Sequence, residues 1–381
     1  MKEKMKLKST RIGLIIDFPI IEKAKRVMYD ALNLAFDEAL EDGLIDRQIE
    51  LVVREFGGVL RGGGYSEALK AWKEIAAEGA VGIYGPWCSE NALAIRGYIE
   101  NEGHVPSLAM TGTDGWYGEW CFGINNGSLS EDPRLMTNYL GIQGVKTVAV
   151  IYEHSAIGEE FRRFFREACA FDRLEILVEY KIKGSDTDLL PAAKRLKEAD
   201  ADAVAYLGEG IAACYLNKAF DVLDWNPRRV MTSGFMAAPY IPEGIQSIKG
   251  WVGCDQYDEE NKVGQDFLDR FQRRYGYRPA NLFSLMNYDF GNVITHALAN
   301  SFPVSPEGFK AGLERVKFLP AANGGARGLI SFGPYQRRGW LNPDFIILRE
   351  VDPELPDDTE VVLGGPGTIF RHRFTPRIFG R

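Results

Sequence analysis

Short runs of consecutive apolar residues alternate along this chain with longer stretches whose apolar positions recur every three or four residues. RIGLIIDF (11–18) is the first such run and predicts a buried strand. From Ile20 to Asp42 the apolar residues Val27, Met28, Ala31, Leu32, Ala35 and Ala39 fall at helical spacing. IELVVREF (49–56) predicts a second strand and YSEALKAWKEIAAEG a second helix. AVGIYG, a helix from Ser89 to Glu102, PSLAMT and WCFGIN (120–125) continue the series. Strands this uniformly apolar are covered on both faces, and strands separated by helices pair in parallel, so the fold class is α/β.

A polar stretch, NNGSLSEDP, interrupts the alternation, which then starts again. KTVAVIYEHS, GEEFRRFFREACAF, LEILVEYKI, DLLPAAKRLKEAD, ADAVAYLG, IAACYLNKAFDVLDW, RRVMTSGF and GWVGCDQY read as further strands and helices, and the restart predicts two similar halves. From Asn261 three consecutive helices follow, in NKVGQDFLDRFQRRYG, NLFSLMNYDFGNVITHALANS and SPEGFKAGLERVKFL; they need a sheet face to bury against, and the first half offers one. ARGLISFG and DFIILREV are late strands. The tail after Asp352, rich in Pro, Asp, Gly and Arg, is expected to be loosely ordered.

A length of 381 residues predicts two to three compact units. The net charge of −8 denies the chain the broad positive field that a phosphate backbone requires, so nucleic acid is not an expected partner. No segment approaches the roughly 20 apolar residues that cross a bilayer, so no membrane insertion is expected. MKEKMKLKST is basic, but no signal-peptide core or cleavage site follows it. The chain as it stands reads as cytoplasmic, or as periplasmic if an export signal has been removed. Cys88, Cys121, Cys169, Cys214 and Cys254 are odd in number, widely spaced and never in CxxC, which argues against a disulfide framework or a zinc site and for buried apolar roles. His104, His154, His296 and His372 lack metal-ligand spacing, so neither a metal nor a cofactor is expected.

Several motifs carry chemistry on paper. GEGIAA (208–213) matches a dinucleotide fingerprint, but it lies deep in the chain and no acid follows on the next strand to hold a ribose; it reads as a strand-to-helix turn. The three glycines of VLRGGGYSE lack the G-K-[ST] of a phosphate loop and read as a turn into a helix. His154-Ser155 are neighbours on a strand and point to opposite faces, so they make no catalytic pair; G-x-S-x-G is absent, and no catalytic residue is assigned. Asn126-Gly127-Ser128 reads as a turn. GPWCSENALA (85–94) ends a strand and opens a helix, with Ser89 as an N-cap and Glu90 in the first turn, a place where polar ligand groups dock. SLAMTGTDGWYGEW (107–120) joins hydroxyls, backbone amides and aromatics at another strand end, the make-up of a pocket wall.

The order of RIGLIIDF, GPWCSENALA, PSLAMTGT, EHSAIGEEF and GWVGCDQYDEENKVGQDFLDRFQRRYGYRP resembles the type I periplasmic binding proteins, in the branch of the leucine/isoleucine/valine-binding proteins and their amide-sensing cytoplasmic relatives. The resemblance extends over about residues 10–350. It implies two doubly wound, Rossmann-like lobes joined by a three-crossover hinge, with crossings near 123–130, 255–262 and 328–336. Lobe 1 would take residues 8–124 and 260–329, lobe 2 residues 128–256 and 330–352, leaving 353–381 as a C-terminal tail.

The resemblance also implies a ligand held between the lobes. From lobe 1 it points to Trp87, Cys88, Ser89, Thr111, Gly112, Thr113 and Trp116; from the other side, to Ser155, Ile157, Glu209, Phe235 and Tyr257. Ile157 stands where relatives often carry Tyr, and no acid for a ligand ammonium occurs from Arg228 to Pro242, which leaves Glu209 as the substitute. An unpaired buried ammonium costs several kcal/mol. With Tyr117 and Met236 also in the expected lining, the ligand is expected to be apolar or aromatic, or a carboxylic acid, and not a plain α-amino acid. The implied function is non-enzymatic: capture of a small molecule for an ABC importer, with permease subunits as partners. The alternative is a cytoplasmic ligand sensor on the same fold acting through a protein partner.

Overall fold

Five parallel strands form the first sheet: β1 (Lys8–Ile16), β2 (Arg47–Glu55), β3 (Gly82–Tyr84), β4 (Ser107–Ala109) and β5 (Cys121–Gly123), in the spatial order β2-β1-β3-β4-β5. The computed structural model describes residues 8–18, 20–57, 64–124, 128–240, 244–279, 282–340, 346–356 and 367–374. Gly62 and Gly63 of the three-glycine turn, and Asn126-Gly127, lie outside them. Helices α1 (Glu22–Glu41), α2 (Tyr65–Ala77) and α3 (Ser89–Tyr98) connect the strands, and α3 runs on as a π-helical turn, Ile99–Gly103. Ile12, Leu14, Ile15 and Ile16 of β1 are buried. The strand is central and covered on both faces, which is why its sequence does not alternate. Gly13 is the gap in that run: a Cβ there would meet the Ile75 side chain at 2.2 Å.

The second sheet repeats the plan. β6 (Thr147–Glu153), β7 (Glu175–Ile182), β8 (Ala203–Leu207), β9 (Arg228–Met231) and β10 (Trp251–Asp255) run parallel in the order β7-β6-β8-β9-β10, the same winding as the first sheet. Helices α4 (Glu131–Ile142), α5 (Ala156–Asp172), α6 (Leu190–Glu198) and α7 (Ala213–Val222) accompany it. α4 is not expected from the sequence pattern, because its first turn falls in the polar stretch NNGSLSEDP. Its apolar positions, Leu135, Met136, Tyr139 and Leu140, are all buried, and Pro133 sits in the first turn, where its missing N–H costs nothing.

The chain then returns to the first sheet. α8 (Lys262–Tyr275), α9 (Leu282–Ala299) and α10 (Pro306–Glu314) follow one another. α1 packs along α9, and the Phe309 ring lies against Gly82 of β3. ARGLISFG supplies only β12 (Leu329–Ile330), paired with β11 (Leu319–Pro320) in a separate two-stranded ribbon. The last strands, β13 (Ile347–Val351) and β14 (Thr368–Arg373), extend the second sheet antiparallel beyond β10. β14 corrects the expectation of a loose tail. It covers the edge of β13, which would otherwise leave a row of unpaired backbone groups. Arg371 pairs there with Glu350, Arg373 with Asp258, and His372 Nε2 lies 2.7 Å from Asn138 Oδ1.

Hydrogen bonds and ion pairs fix the segments in which the chain passes between the lobes. Gly123, at the end of β5, bridges to Arg338. At the second crossing the Asn261 amide donates to the carbonyls of Ala321, Ala322 and Gly324, each at 3.0 Å, while its oxygen caps α8. Arg349 of β13 is 1 % exposed and pairs with Asp255 at 2.7 Å and with Glu259 at 2.8 Å. The Asp289 carboxylate of α9 accepts the backbone N–H groups of Ala322 and Asn323, both at 2.8 Å.

Candidate functional site

Both sheets wind outward from a central strand, so each has a crevice at the carboxyl ends of its strands where the winding reverses. Open α/β sheets bind ligands in such crevices. In the first sheet this point lies between β1 and β3, in the second between β6 and β8. The loops leaving these strands face one another across a cavity with about 710 Å³ of empty space, part of it open to solvent.

From the first lobe the wall begins with Phe18, just beyond β1, and Trp87, Cys88 and Ser89 at the start of α3. The residue that organises this loop is Asp17. Its fully buried carboxylate accepts the backbone N–H of Trp87 at 2.8 Å, that of Cys88 at 3.2 Å, and the Asn91 amide at 2.9 Å. Burial pushes the Asp17 carboxyl above its ordinary range, against the pull of these bonds. Ser89 is therefore not the N-cap expected from the sequence. Cys88 takes that position without a side-chain cap, Asp17 does the work from the neighbouring strand, and the Ser89 hydroxyl bonds to Thr111 Oγ1 instead. The Cys88 thiol lies 3.4 Å from the Asp17 carbonyl oxygen, and burial pushes it well above its ordinary pKa, so it is a neutral wall group and not a nucleophile.

Met110 and Gly112 continue this wall, and Phe283 at the start of α9 closes it, meeting the Trp87 ring edge-on at 5.7 Å between centroids. Trp87 is 5 % exposed, and its indole N–H has no hydrogen-bond partner among the described residues.

The second lobe answers with Ile157 and Phe161, one turn apart on α5, Gly208 and Glu209 beyond β8, and Ser233 and Gly234 beyond β9. These turns are set by close backbone approach. Gly210 has φ +88°, and a Cβ on it would sit 2.3 Å from the Gly234 carbonyl oxygen. GEGIAA is thus a tight strand-to-helix turn whose glycines serve packing. Asp132 at the start of α4 holds the Ser233 turn by accepting its N–H at 2.8 Å, and burial raises its carboxyl to about 6.

Acidic groups dominate the electrostatics. Burial, then the charges of Glu90, Glu153 and Asp17, push the Glu209 carboxyl well above its ordinary value. Glu90 is raised by burial, although the backbone N–H of Ile157, from the other lobe, favours its charged form. Glu153 is raised by burial; it bonds the Tyr206 hydroxyl and is stabilised by the N–H groups of Glu209 and Gly210. A second contact crosses the cleft beside the cavity: Thr113 Oγ1 donates to Glu160 of α5 at 2.8 Å, and the N–H of Asp114 supports the same carboxylate.

Of the residues expected to meet ligand, Trp87, Cys88, Ser89, Gly112, Ile157 and Glu209 line the cavity. The other six do not. Thr111 is buried behind Ser89, and the Thr113 hydroxyl is committed to Glu160. Trp116 is core, its indole N–H donating to the Phe122 carbonyl at 2.7 Å. Ser155 caps α5 through Gly158 N–H. Phe235 is buried against Gly253, and Tyr257 sits at the second crossing, its hydroxyl 3.2 Å from Gln265 Nε2. Tyr117 lines a separate surface hollow, whereas Met236 does line the cavity. Among the described residues no cluster of His, Cys, Asp and Glu could hold a metal, and no helix is long and apolar enough to cross a membrane.

Residues 21–340 match the family model described as periplasmic binding protein. Solved structures with the same fold include a periplasmic binding protein type 1 from Bordetella pertussis Tohama I, with 19 % identity, a TM-score of 0.76, and 94 % of this chain and 99 % of that one covered. Another is the branched-chain amino acid transporter substrate binding protein LivJ from Streptococcus pneumoniae in complex with isoleucine, with 18 % identity, a TM-score of 0.75, and 93 % and 99 % covered. A third is a solute binding protein of an ABC transporter from Rhodopseudomonas palustris BisB5 in complex with 3,4-dihydroxybenzoic acid, with 18 % identity, a TM-score of 0.72, and 96 % of both chains covered. No curated protein matches the sequence.

Proposed function

Since the chain belongs to the periplasmic binding protein family, we propose that it captures one small organic solute between its lobes and presents it to the permease of an ABC importer. The observation that carries this reading is the cavity itself, walled by strand-end loops of both sheets and bridged beside its mouth by Thr113 and Glu160. A molecule bound there contacts both lobes only when they are closed, so its affinity for the closed state supplies the free energy of closure. Closure is the signal a permease can read, and reopening releases the solute unchanged. We take the moving bodies to be residues 8–124 with 260–329 and 128–256 with 330–352, with β14 of the tail riding on the second.

The wall favours a ligand with an apolar or aromatic body. Phe18, Trp87, Phe161 and Phe283 offer rings, and Met110 and Met236 adaptable apolar contact. The relatives bound to isoleucine and to 3,4-dihydroxybenzoic acid set the scale of molecule that this fold encloses. Native mass spectrometry of the purified protein tests the reading. The expected result is a bound small molecule that leaves on denaturation and, added back, raises the melting temperature. A protein that carries no such molecule, and that no solute in a broad metabolite panel stabilises, would refute it.

A further inference from the structure

Carboxylates approach this cleft from both lobes. In the first, Asp17 lies beneath the loop of Trp87 and Cys88, accepting both backbone N–H groups, and Glu90 stands in the first turn of α3. In the second, Glu209 lines the cavity and Glu153 lies beneath its turn: a Cβ on Gly208 would sit 2.4 Å from Glu153 Cδ. The two pairs meet across the gap. Glu90 accepts the N–H of Ile157 from α5, and the charges of Glu90 and Asp17 act on Glu209 alongside that of Glu153. The other titratable groups facing them are the Cys88 thiol and the Tyr206 hydroxyl, which bonds Glu153; burial keeps both neutral. No Lys, Arg or His is among the described residues that line the cavity.

Like charges brought together in a water-poor site raise one another's pKa values. Asp17 is bonded within the first lobe and Glu153 within the second, so both stay buried when the lobes part. What closing changes is Glu90 and Glu209, which lose water and come under charges of the opposite lobe. Burial first, then the neighbouring acids, holds Glu209 well above its ordinary value; burial and then Asp17 raise Glu90 against the pull of the Ile157 N–H. In the open cleft both return toward the ordinary glutamate range, about 4.3.

We propose that, granted the solute-capture reading above, closing this cleft takes up protons at Glu90 and Glu209, so that acid favours the closed form and rising pH opens it. The sign follows from linkage. A carboxyl whose pKa is higher in the closed form stabilises that form fully below its open-state pKa, and the contribution is lost as pH rises through the closed-state one. Between the two, each proton taken up changes the closed-to-open ratio by up to about tenfold per pH unit. Glu160 at the mouth, facing Thr113, Asp114 and Arg163, is also raised by burial and acts in the same direction. Asp132 and Asp289 titrate too, but each bonds backbone of its own lobe and does not feel closure. The solute is thereby gripped in acid and loosened as the pH rises.

Small-angle X-ray scattering of ligand-stripped protein, taken from pH 5 to 8 at constant ionic strength, reads the closed-to-open ratio with the proton as the only probe. The ratio is expected to fall with rising pH by about threefold or more per unit over its steepest stretch. Glu90→Gln and Glu209→Gln should each lower that slope, so the result stands on whichever variant melts cooperatively. Asp289→Asn should leave the slope unchanged while flattening the melting curves. A wild-type ratio that changes less, or rises with pH, would overturn the proposal. So would a slope unchanged in a folded Glu90→Gln or Glu209→Gln, or one lowered as much by Asp289→Asn. Each of these results would leave solute capture standing, which fails only if no small molecule co-purifies or stabilises.

Discussion

The contact between Thr113 Oγ1 and Glu160 joins a loop of the first lobe to α5 of the second, so it exists only while the cleft is closed. Replacing Glu160 by Gln keeps its shape and removes its charge. A hydrogen bond to a charged group contributes about 1.5–3 kcal/mol net, a neutral one about 0.5–1.5, so the exchange removes roughly 1–2 kcal/mol from closure. In the open state both groups are hydrated and lose nothing. The deficit therefore falls on ligand affinity and not on folding, and corresponds to about a 5- to 30-fold weaker Kd. Calorimetric titration of the co-purified ligand into wild type, Glu160→Gln, Thr113→Val and the double variant measures it. The single changes should each weaken binding, the double change should cost clearly less than their sum, and the unliganded melting temperatures should agree. Strict additivity, or an unchanged Kd, would refute the idea that this bond is made on closure.

Other regions make equally definite predictions. Arg349→Met leaves Asp255 buried and uncompensated, and should destabilise the protein by about 3–5 kcal/mol in urea unfolding, with Asp255→Asn in the same chain restoring part of the loss. Gly210→Ala forces a side chain into a left-handed backbone 2.3 Å from the Gly234 carbonyl oxygen and should cost at least about 2 kcal/mol while abolishing ligand binding. Burial raises the Asp289 carboxyl to about 8 from 3.8, so the folded state holds a proton that the unfolded chain releases; stability should fall as pH rises through that window and level off above it. Asp132, raised to about 6, acts in the same direction over the lower part of the window. Melting curves of Asp289→Asn between pH 6 and 8 should be flatter than those of the wild type.

The parts of the fold visible in the sequence were those governed by periodicity. RIGLIIDF and KTVAVIY announce central strands because burial on both faces removes all alternation, and the doubled winding follows from the restart after WCFGIN. α4 was hidden because its acidic, proline-bearing first turn resembles a loop, and β14 because a strand at a sheet edge needs little apolar content. The site was half legible. Trp87 to Ser89 and Gly112 could be placed from the rule that ligands sit beyond strand ends, whereas Ile157 and Glu209 were reached through the family resemblance. The same rule, applied to the last residues of RIGLIIDF, points to Asp17 and Phe18. Phe161 is reachable from Ile157 by helical spacing. What no local pattern reveals is pairing between distant segments. Nothing in EHSAIGEEF tells that Glu160 will reach Thr113, nothing in SEDP that Asp132 will hold Ser233, and nothing in NLFSLM that Phe283 will pack on Trp87.

Closure of one lobe on the other around a bound molecule can be measured outright by small-angle X-ray scattering on ligand-stripped and reloaded protein. Reloading should lower the radius of gyration, with Glu160→Gln needing more ligand to reach the same value. A ligand that binds at full occupancy and leaves the scattering curve unchanged would contradict it.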